Sequence, residues 1–454
     1  MSRNRLVIIG GDAAGMSAAA KVRREDPDRE IVVFERSPHT SYSACGMPYY
    51  IGGVVEKVED LIARTPEKFR EKYRIDVRTR QEVVEIDPVG ARVRVKELDS
   101  GRESQTAYDQ LLIATGSTPF CPRVPGAGAG GIFGLSTLQS GMRVRQAVEQ
   151  RQPRRVVVVG GGYIGLEMAE AFVRLGLDVS LVDRGTQVMG TLDPDMGKLV
   201  SDALREIVVS LYLEESLTGF ETTAEQVKAV VTEHRIIPAD LVILGLGTSP
   251  LSSLAKAAGI TLGARGAIPV NPRQQTALDN VWAAGDCAES FHLIARRPVH
   301  IALGTVANKQ GTVAGINLAG GYATFPGVVG TAVSKICKYE VARTGLQEKE
   351  IRQLGLEAVS ATTTSKTRAG YYPGAGPITV KLWAERGNGL LLGGQIVGIE
   401  GAAKRIDVLA TSLHAGMTVE EIVYLDLSYA PPYSPVWDPV QTAARQLLKA
   451  LRQG

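Results

Sequence analysis

The apolar residues of this chain are grouped in two ways. Short unbroken runs, as in "RLVIIGG", "EIVVFER", "YDQLLIATG", "RRVVVVGGG" and "ADLVILGLG", predict strands buried on both faces of a parallel sheet. Between them, "AAGMSAAAKVRRE" and "YIGLEMAEAFVRLG" space their apolar residues as amphipathic helices do. After about residue 322 the pattern changes. "TAVSKICKYEVARTGL", "PITVKLWAE" and "LLLGGQIVGIE" read as β-rich segments, and "AAKRIDVLATSLHAGM" as a helix that follows them.

The strand–loop–helix–strand plan occurs twice. In the first copy Gly10, Gly11, Asp12, Ala13, Ala14 and Gly15 form the loop and helix start, and the second strand ends in Glu35 and Arg36. In the second copy Gly160, Gly162, Tyr163, Ile164 and Gly165 give a full GxGxxG, and the following strand ends in Asp183 and Arg184. Each acid comes about 20 residues after the last glycine, the arrangement that binds a dinucleotide. Glycines let the backbone approach a pyrophosphate, the helix N-terminus supplies amide hydrogens, and the acid takes ribose hydroxyls. Asp12 departs from the pattern, because it puts a side chain and a negative charge near the diphosphate.

Two further strands belong to the first unit: one leads into Thr115–Gly116, the other into Gly285–Asp286. They flank the second unit, which ends near the strand before Gly247. The predicted fold class is therefore α/β, with two Rossmann-like dinucleotide-binding domains, the second inserted in the first, plus a C-terminal α+β domain. The expected boundaries are 1–119 with 246–322, 120–245, and 323–454.

Composition narrows the functions. With 454 residues, 44% apolar, the chain is long enough for two or three domains with proper cores. A formal charge of +3 spread along the chain suggests no nucleic-acid groove. No apolar run approaches the length of a membrane span, and the first strand leaves no room for a signal peptide. Four cysteines without a CxxC, and five scattered histidines, predict neither a disulfide framework nor a metal site, and a reducing cytoplasm is the natural setting.

That leaves "SYSACGMPYYIGG", which holds the single cysteine Cys45 just after the first dinucleotide unit. With this segment included, the whole chain resembles the FAD-dependent pyridine nucleotide–disulfide oxidoreductases. The resemblance implies an FAD domain, an inserted NADH- or NADPH-binding domain and a C-terminal dimerisation domain, hence a homodimer. Most members carry a CxxxxC where this chain has Cys45 alone, which matches the single-cysteine branch. That branch contains coenzyme A-disulfide reductases, NADH oxidases and peroxidases, and sulfur or polysulfide reductases.

Within the branch, the oxidases and peroxidases usually carry a histidine in the first glycine loop, where this chain has Ala13. "YYPGAGP" and "SYAPPYSPVWDP" resemble the tyrosine-bearing segments of the coenzyme A-disulfide reductases, in which one tyrosine from each reaches the partner subunit's cysteine. Motif alignment assigns Tyr371 and Tyr429, with Tyr372 and Tyr433 as rivals; packing of turn aromatics on prolines is the plainer alternative. Two departures stand out: Ala44 where asparagine is common, and Trp437 where some members have lysine.

The resemblance implies a catalytic Cys45 whose second sulfur comes from coenzyme A, as a mixed disulfide. A position at a helix start is expected to lower the thiol pKa. Glu167 is expected near the nicotinamide. Ser17, Lys21, Arg24, Ser41 and Asn308 match the face that contacts coenzyme A in the related reductases; for Lys21 and Arg24 a solvated helix face is the alternative. Asp183 favours NADH, while Arg184 could accommodate a 2′-phosphate. Cys121, Cys287 and Cys337 are expected in the core. The competing functions are an NADH oxidase reducing oxygen and a flavoprotein electron donor with an inert Cys45.

Overall fold

The computed structural model describes residues 4–453. Its first sheet is fully parallel, in the order Val281–Ala283, Gln110–Ile113, β1 (Arg5–Ile9), β2 (Glu30–Glu35), Asp76–Thr79. Alternate residues of β1 enter different cores. Leu6 and Ile8 pack with α1 (Ala13–Glu25) and the helix Gly304–Leu318. Val7 and Ile9 pack with a three-stranded antiparallel meander, Gln81–Asp87, Arg92–Glu97 and Glu103–Ala107. That meander is absent from the sequence reading, although "RVRVKE" alternates visibly.

α1 and Gly304–Leu318 lie unusually close. A Cβ at Gly311 would come within 2.3 Å of the Ala14 carbonyl oxygen, and one at Gly315 within 2.8 Å of that of Ala18. Small residues on both helices permit this approach, which places Asn308 beside Ser17.

The second unit repeats the plan. Its parallel sheet runs Ser210–Tyr212, Asp178–Val182, Arg155–Val159, Leu241–Leu244, Ile132–Gly134, with the helix Tyr163–Arg174 after the glycine loop. The chain enters and leaves this unit through two antiparallel strands, Ser117–Pro119 and Thr248–Pro250.

The third unit is a five-stranded antiparallel sheet, Ala332–Ile336, Tyr339–Gly345, Leu391–Gly398, Pro377–Glu385 and Ala358–Lys366 in spatial order. The helices Ala402–Ala415 and Pro439–Gln453 share its core. The sheet is tied to the second unit by polar contacts at Asp193. The Trp383 indole donates to Asp193 Oδ2 at 2.6 Å, and Lys381 Nζ lies 3.1 Å from the same oxygen. Both ionic side chains are nearly inaccessible, so each needs the other.

Candidate functional site: two nucleotide cradles and a solitary sulfur

The two glycine loops are built alike. A Cβ at Gly10 would stand 2.1 Å from the Ala114 oxygen, and one at Gly160 2.4 Å from that of Gly245. At the third glycine, a Cβ at Gly15 or Gly165 would stand 2.0 or 1.9 Å from the carbonyl oxygen of Gly10 or Gly160, so no side chain fits there. Glu35 Oε2 accepts the Gly11 N–H at 2.7 Å, and Asp183 Oδ2 accepts the Gly161 N–H at 2.6 Å. Across from each loop is a left-handed glycine facing open space, Gly116 in the first unit and Gly247 in the second. Tight glycines at the back and open ones at the front leave room for a dinucleotide in both places, so the residues present fit FAD in the first cradle and a nicotinamide nucleotide in the second.

Asp12 is accommodated rather than repelled. Its carbonyl accepts the Met16 N–H at the start of α1, and its Oδ1 accepts the Tyr42 N–H at 3.3 Å, turning the carboxyl toward the cysteine segment. Burial, with Glu35 and Asp286 nearby, pushes its pKa up to about 7. Asp286 is itself raised by burial, and accepts a bond from the Ser117 hydroxyl at 3.2 Å.

Cys45 sits in the short turn Ala44–Gly46 that precedes α2 (Met47–Ile51), open to solvent on one side. The expectation of a lowered thiol pKa is corrected here. The chain's own groups raise it, first by burial of the remaining sides and then through the charges of Glu167 and Asp286. The turn is too short to outweigh two carboxylates.

Glu167, expected near the nicotinamide, arrives from the helix Tyr163–Arg174, and its charge acts on the Cys45 thiol. Its own pKa is raised by burial, countered by the hydroxyl of Ser334 from the third unit, which donates to Oε1 at 2.7 Å. Tyr163 is largely buried in the same helix, and its hydroxyl meets no partner of good geometry among the described residues.

A cleft of about 430 Å³ lies over α1. Ala13, Ser17, Arg24, Ser41 and Asn308 line it, with the Ser17 hydroxyl donating to Asn308 Oδ1 at 2.8 Å. Lys21 is not in its lining; its ammonium pairs with Glu25 one turn along α1. Arg64 is, and the sequence reading missed it. Ser41, four residues before Cys45, adopts the left-handed region (φ 47°) and accepts the Ala63 N–H at 2.9 Å, tying the cysteine segment to Arg64.

A larger cleft, about 1200 Å³, follows the second glycine loop past Asp183 and Arg184. The short helix Glu348–Gln353 closes its far side, bringing Lys349 and Arg352 from the third unit, also unforeseen. Both Asp183 oxygens are engaged by backbone, Oδ1 by the Gly185 N–H at 2.7 Å.

Tyr371 and Tyr429 come together on the third unit. Tyr371 lies close enough to Tyr429 to raise the Tyr429 pKa. Tyr371, Tyr429 and Tyr433 are all exposed. None of the charges acting on Cys45 within the chain belongs to them. Of the other cysteines, Cys287 is buried as expected, with Sγ 3.4 Å from the Ile113 and Ala284 carbonyls. Cys121 is a correction, and for Cys337 the expectation holds only in part, since it packs against the core without being fully buried. Cys121 is exposed in irregular chain between Phe120 and Pro122. Cys337 is half-buried in a left-handed turn (φ 56°), its thiol pushed up to about 12 by burial and two glutamates. Among the described residues no helix is long and apolar enough to cross a membrane, and no cluster of metal ligands occurs.

Comparison with known proteins agrees with this geometry. Residues 4–311 match the model of the pyridine nucleotide-disulphide oxidoreductases, and residues 331–439 match that of their dimerisation domain. The NAD(P)H coenzyme A polysulfide/persulfide reductase of Pyrococcus horikoshii is 39% identical over 98% of both chains. The coenzyme A disulfide reductase of Staphylococcus haemolyticus is 31% identical over 95% of this chain and 96% of its own. The crystal structure of reduced Bacillus anthracis CoADR-RHD superposes with a TM-score of 0.96 at 34% identity, covering 100% of this chain and 81% of that one. The family works through FAD and NAD(P)H, and the C-terminal unit is its dimerisation domain. With both cradles, the solitary sulfur and the C-terminal sheet in the family's order, the chain belongs to the pyridine nucleotide-disulphide oxidoreductases.

Proposed function

We propose that this enzyme uses NAD(P)H to reduce coenzyme A disulfide, mixed coenzyme A disulfides or polysulfide, with coenzyme A supplying the sulfur that Cys45 lacks. The observation that carries this reading is the cleft over α1, where Ser17, Arg24 and Asn308 gather with Ser41, which lies four residues before the solvent-open Cys45. Arg24 and Arg64 supply the cations that a phosphorylated thiol needs.

The first cradle would hold FAD and the second the nicotinamide nucleotide, and the flavin would supply the electron pair that the sulfur chemistry needs. The thiolate of Cys45 attacks one sulfur of the substrate disulfide and expels the first thiol, leaving Cys45 joined to coenzyme A. The electron pair then breaks that S–S bond, restoring the Cys45 thiolate and releasing the second thiol. A polysulfide enters by the same attack on a chain sulfur. In a homodimer, Tyr429 and Tyr371 would protonate the thiolate departing from the partner subunit's Cys45, which accounts for a tyrosine pair left exposed on its own chain. Ala13 at the oxidase histidine's position speaks against an enzyme built to reduce oxygen.

The test is mass spectrometry of the protein purified without reductant. A Cys45 adduct with the mass of coenzyme A, released by thiol and absent from Cys45→Ser, is expected. A free or sulfenic Cys45 with no coenzyme A would overturn the mixed-disulfide cycle.

A further inference from the structure

The two tyrosine-bearing loops share one buried guanidinium. Arg405, on the helix Ala402–Ala415, donates from Nε to Asp438 Oδ2 at 2.8 Å. Its Nη2 donates to the carbonyls of Thr367 and Tyr433, both at 3.1 Å. Thr367 is the root of the loop that carries Tyr371: its N–H donates to the Gly376 carbonyl at 2.9 Å, and its hydroxyl accepts the Gly376 N–H at 3.2 Å. Tyr433 closes the turn after Tyr429 by donating its N–H to the Ala430 carbonyl at 2.9 Å. Asp438 Oδ2 also accepts the Ser434 hydroxyl at 3.1 Å, and Oδ1 the Val440 N–H at 2.9 Å. One planar group thus ties both loops to the helix that begins at Pro439.

We propose that Arg405 is a positioning residue for the sulfur step: by joining Thr367 and Tyr433 under the clamp of Asp438, it sets Tyr371 against Tyr429. This rests on the reading that the tyrosine pair serves the partner subunit's Cys45. The physical case has three parts. Tyr371 and Tyr433 are each 78% exposed, so the loops gain little order from burying their own aromatics. The anchor beneath them is polar and buried, with Arg405 and Asp438 side chains 11% and 12% accessible. A buried ion pair is a poor source of net stability compared with apolar packing, but it fixes geometry sharply, and only a guanidinium can reach a carboxylate and two carbonyls in one plane.

The experiment uses the FAD-loaded enzyme and Arg405→Lys, which keeps the charge but has no second nitrogen to hold Asp438 while the first serves both carbonyls. Reduction of bound FAD by NADH should stay at the wild-type rate and KM for NADH should not move. Turnover of coenzyme A disulfide should fall about tenfold or more, as expected for a misplaced acid. The phenolate titration assigned to Tyr429, read as the difference from Tyr429→Phe, should shift to lower pH as the Tyr371 contact is lost. Turnover and titration both within twofold and unshifted, respectively, would overturn the proposal. Should Arg405→Lys fail to fold, Asp438→Asn carries the same measurements with the guanidinium in place. If Tyr371→Phe and Tyr429→Phe leave turnover intact, the tyrosine reading fails by itself, while the titration still decides whether Arg405 sets the pair.

Discussion

The Ser334 hydroxyl donates to Glu167 Oε1 at 2.7 Å, so the dimerisation sheet helps to hold ionised a carboxylate of the nicotinamide-domain helix. That charge in turn raises the Cys45 thiol pKa. Removing it should ease ionisation of the sulfur. Glu167→Gln is expected to shift the pH profile of Cys45 alkylation, followed with iodoacetamide on the reduced enzyme, to lower pH. An unshifted profile would show that Glu167 does not govern the sulfur.

Cys45→Ser should separate the two halves of the reaction. Bound FAD should still be reduced by NADH at the wild-type rate in stopped flow, while coenzyme A disulfide turnover drops about a thousandfold or more, as when a nucleophile is deleted. Equal turnover in the variant would assign Cys45 an inert role and favour an electron donor.

Asp183, the acid expected from the sequence to take the ribose hydroxyls, lines the larger cleft together with Arg184, Lys349 and Arg352. Replacing the acid by a short neutral residue removes the ribose contact and the repulsion of a 2′-phosphate together. For Asp183→Ser we expect kcat/KM with NADH to fall about tenfold and that with NADPH to rise. Steady-state kinetics with both nucleotides decides.

Asp12 makes stability depend on pH. Its folded pKa of about 7 lies above the ordinary aspartate value of 3.8, so between those values the folded state holds a proton that the unfolded chain releases. Its contribution therefore falls as pH rises from about 4 to 7, and the full cost, about 4 kcal/mol at most, stands above pH 7. In flavin-free protein, Asp12→Asn should be more stable than the parent at pH 8 and lose that advantage near pH 4. Parallel denaturation curves at both pH values would contradict this.

Gly311→Ala tests the close helix pair. The added methyl meets the Ala14 carbonyl at 2.3 Å and must push α1 away from Gly304–Leu318. Thermal unfolding should report a loss of about 1–3 kcal/mol, and the flavin should wash out more readily because Ala14 belongs to its cradle.

Much of this was readable in the chain because glycine leaves a strong local mark. Gly15 and Gly165 are required by the carbonyls of Gly10 and Gly160 just before them in the chain, so their spacing announced two cradles, whereas Gly10 and Gly160 press on Ala114 and Gly245 far along the sequence. Arg64, Lys349 and Arg352 gave no such signal; each enters its cleft from a different segment of chain, and only folding sets it there. Lys21 shows the reverse case. Its helical spacing from Ser17 and Arg24 suggested a shared face, but a glutamate one turn away captures its charge. Cys121 looked interior from its apolar neighbours, yet Pro122 keeps that stretch out of any strand. The direction of the Cys45 shift was hidden for the same reason as the arginine, since Glu167 and Asp286 are far away in sequence.

The paired strands Ser117–Pro119 and Thr248–Pro250 also impose a timetable on synthesis. Gln110–Ile113 must wait for its neighbour Val281–Ala283, about 170 residues later, before the first sheet has its outer strand. Gly285 and Asp286 follow that strand, so the flavin cradle is among the last parts of the first sheet to close. The inserted unit is contiguous and can fold while its host is still open on the ribosome. Capture of FAD by a nascent chain would thus mark the moment when the interrupted domain has found both of its halves.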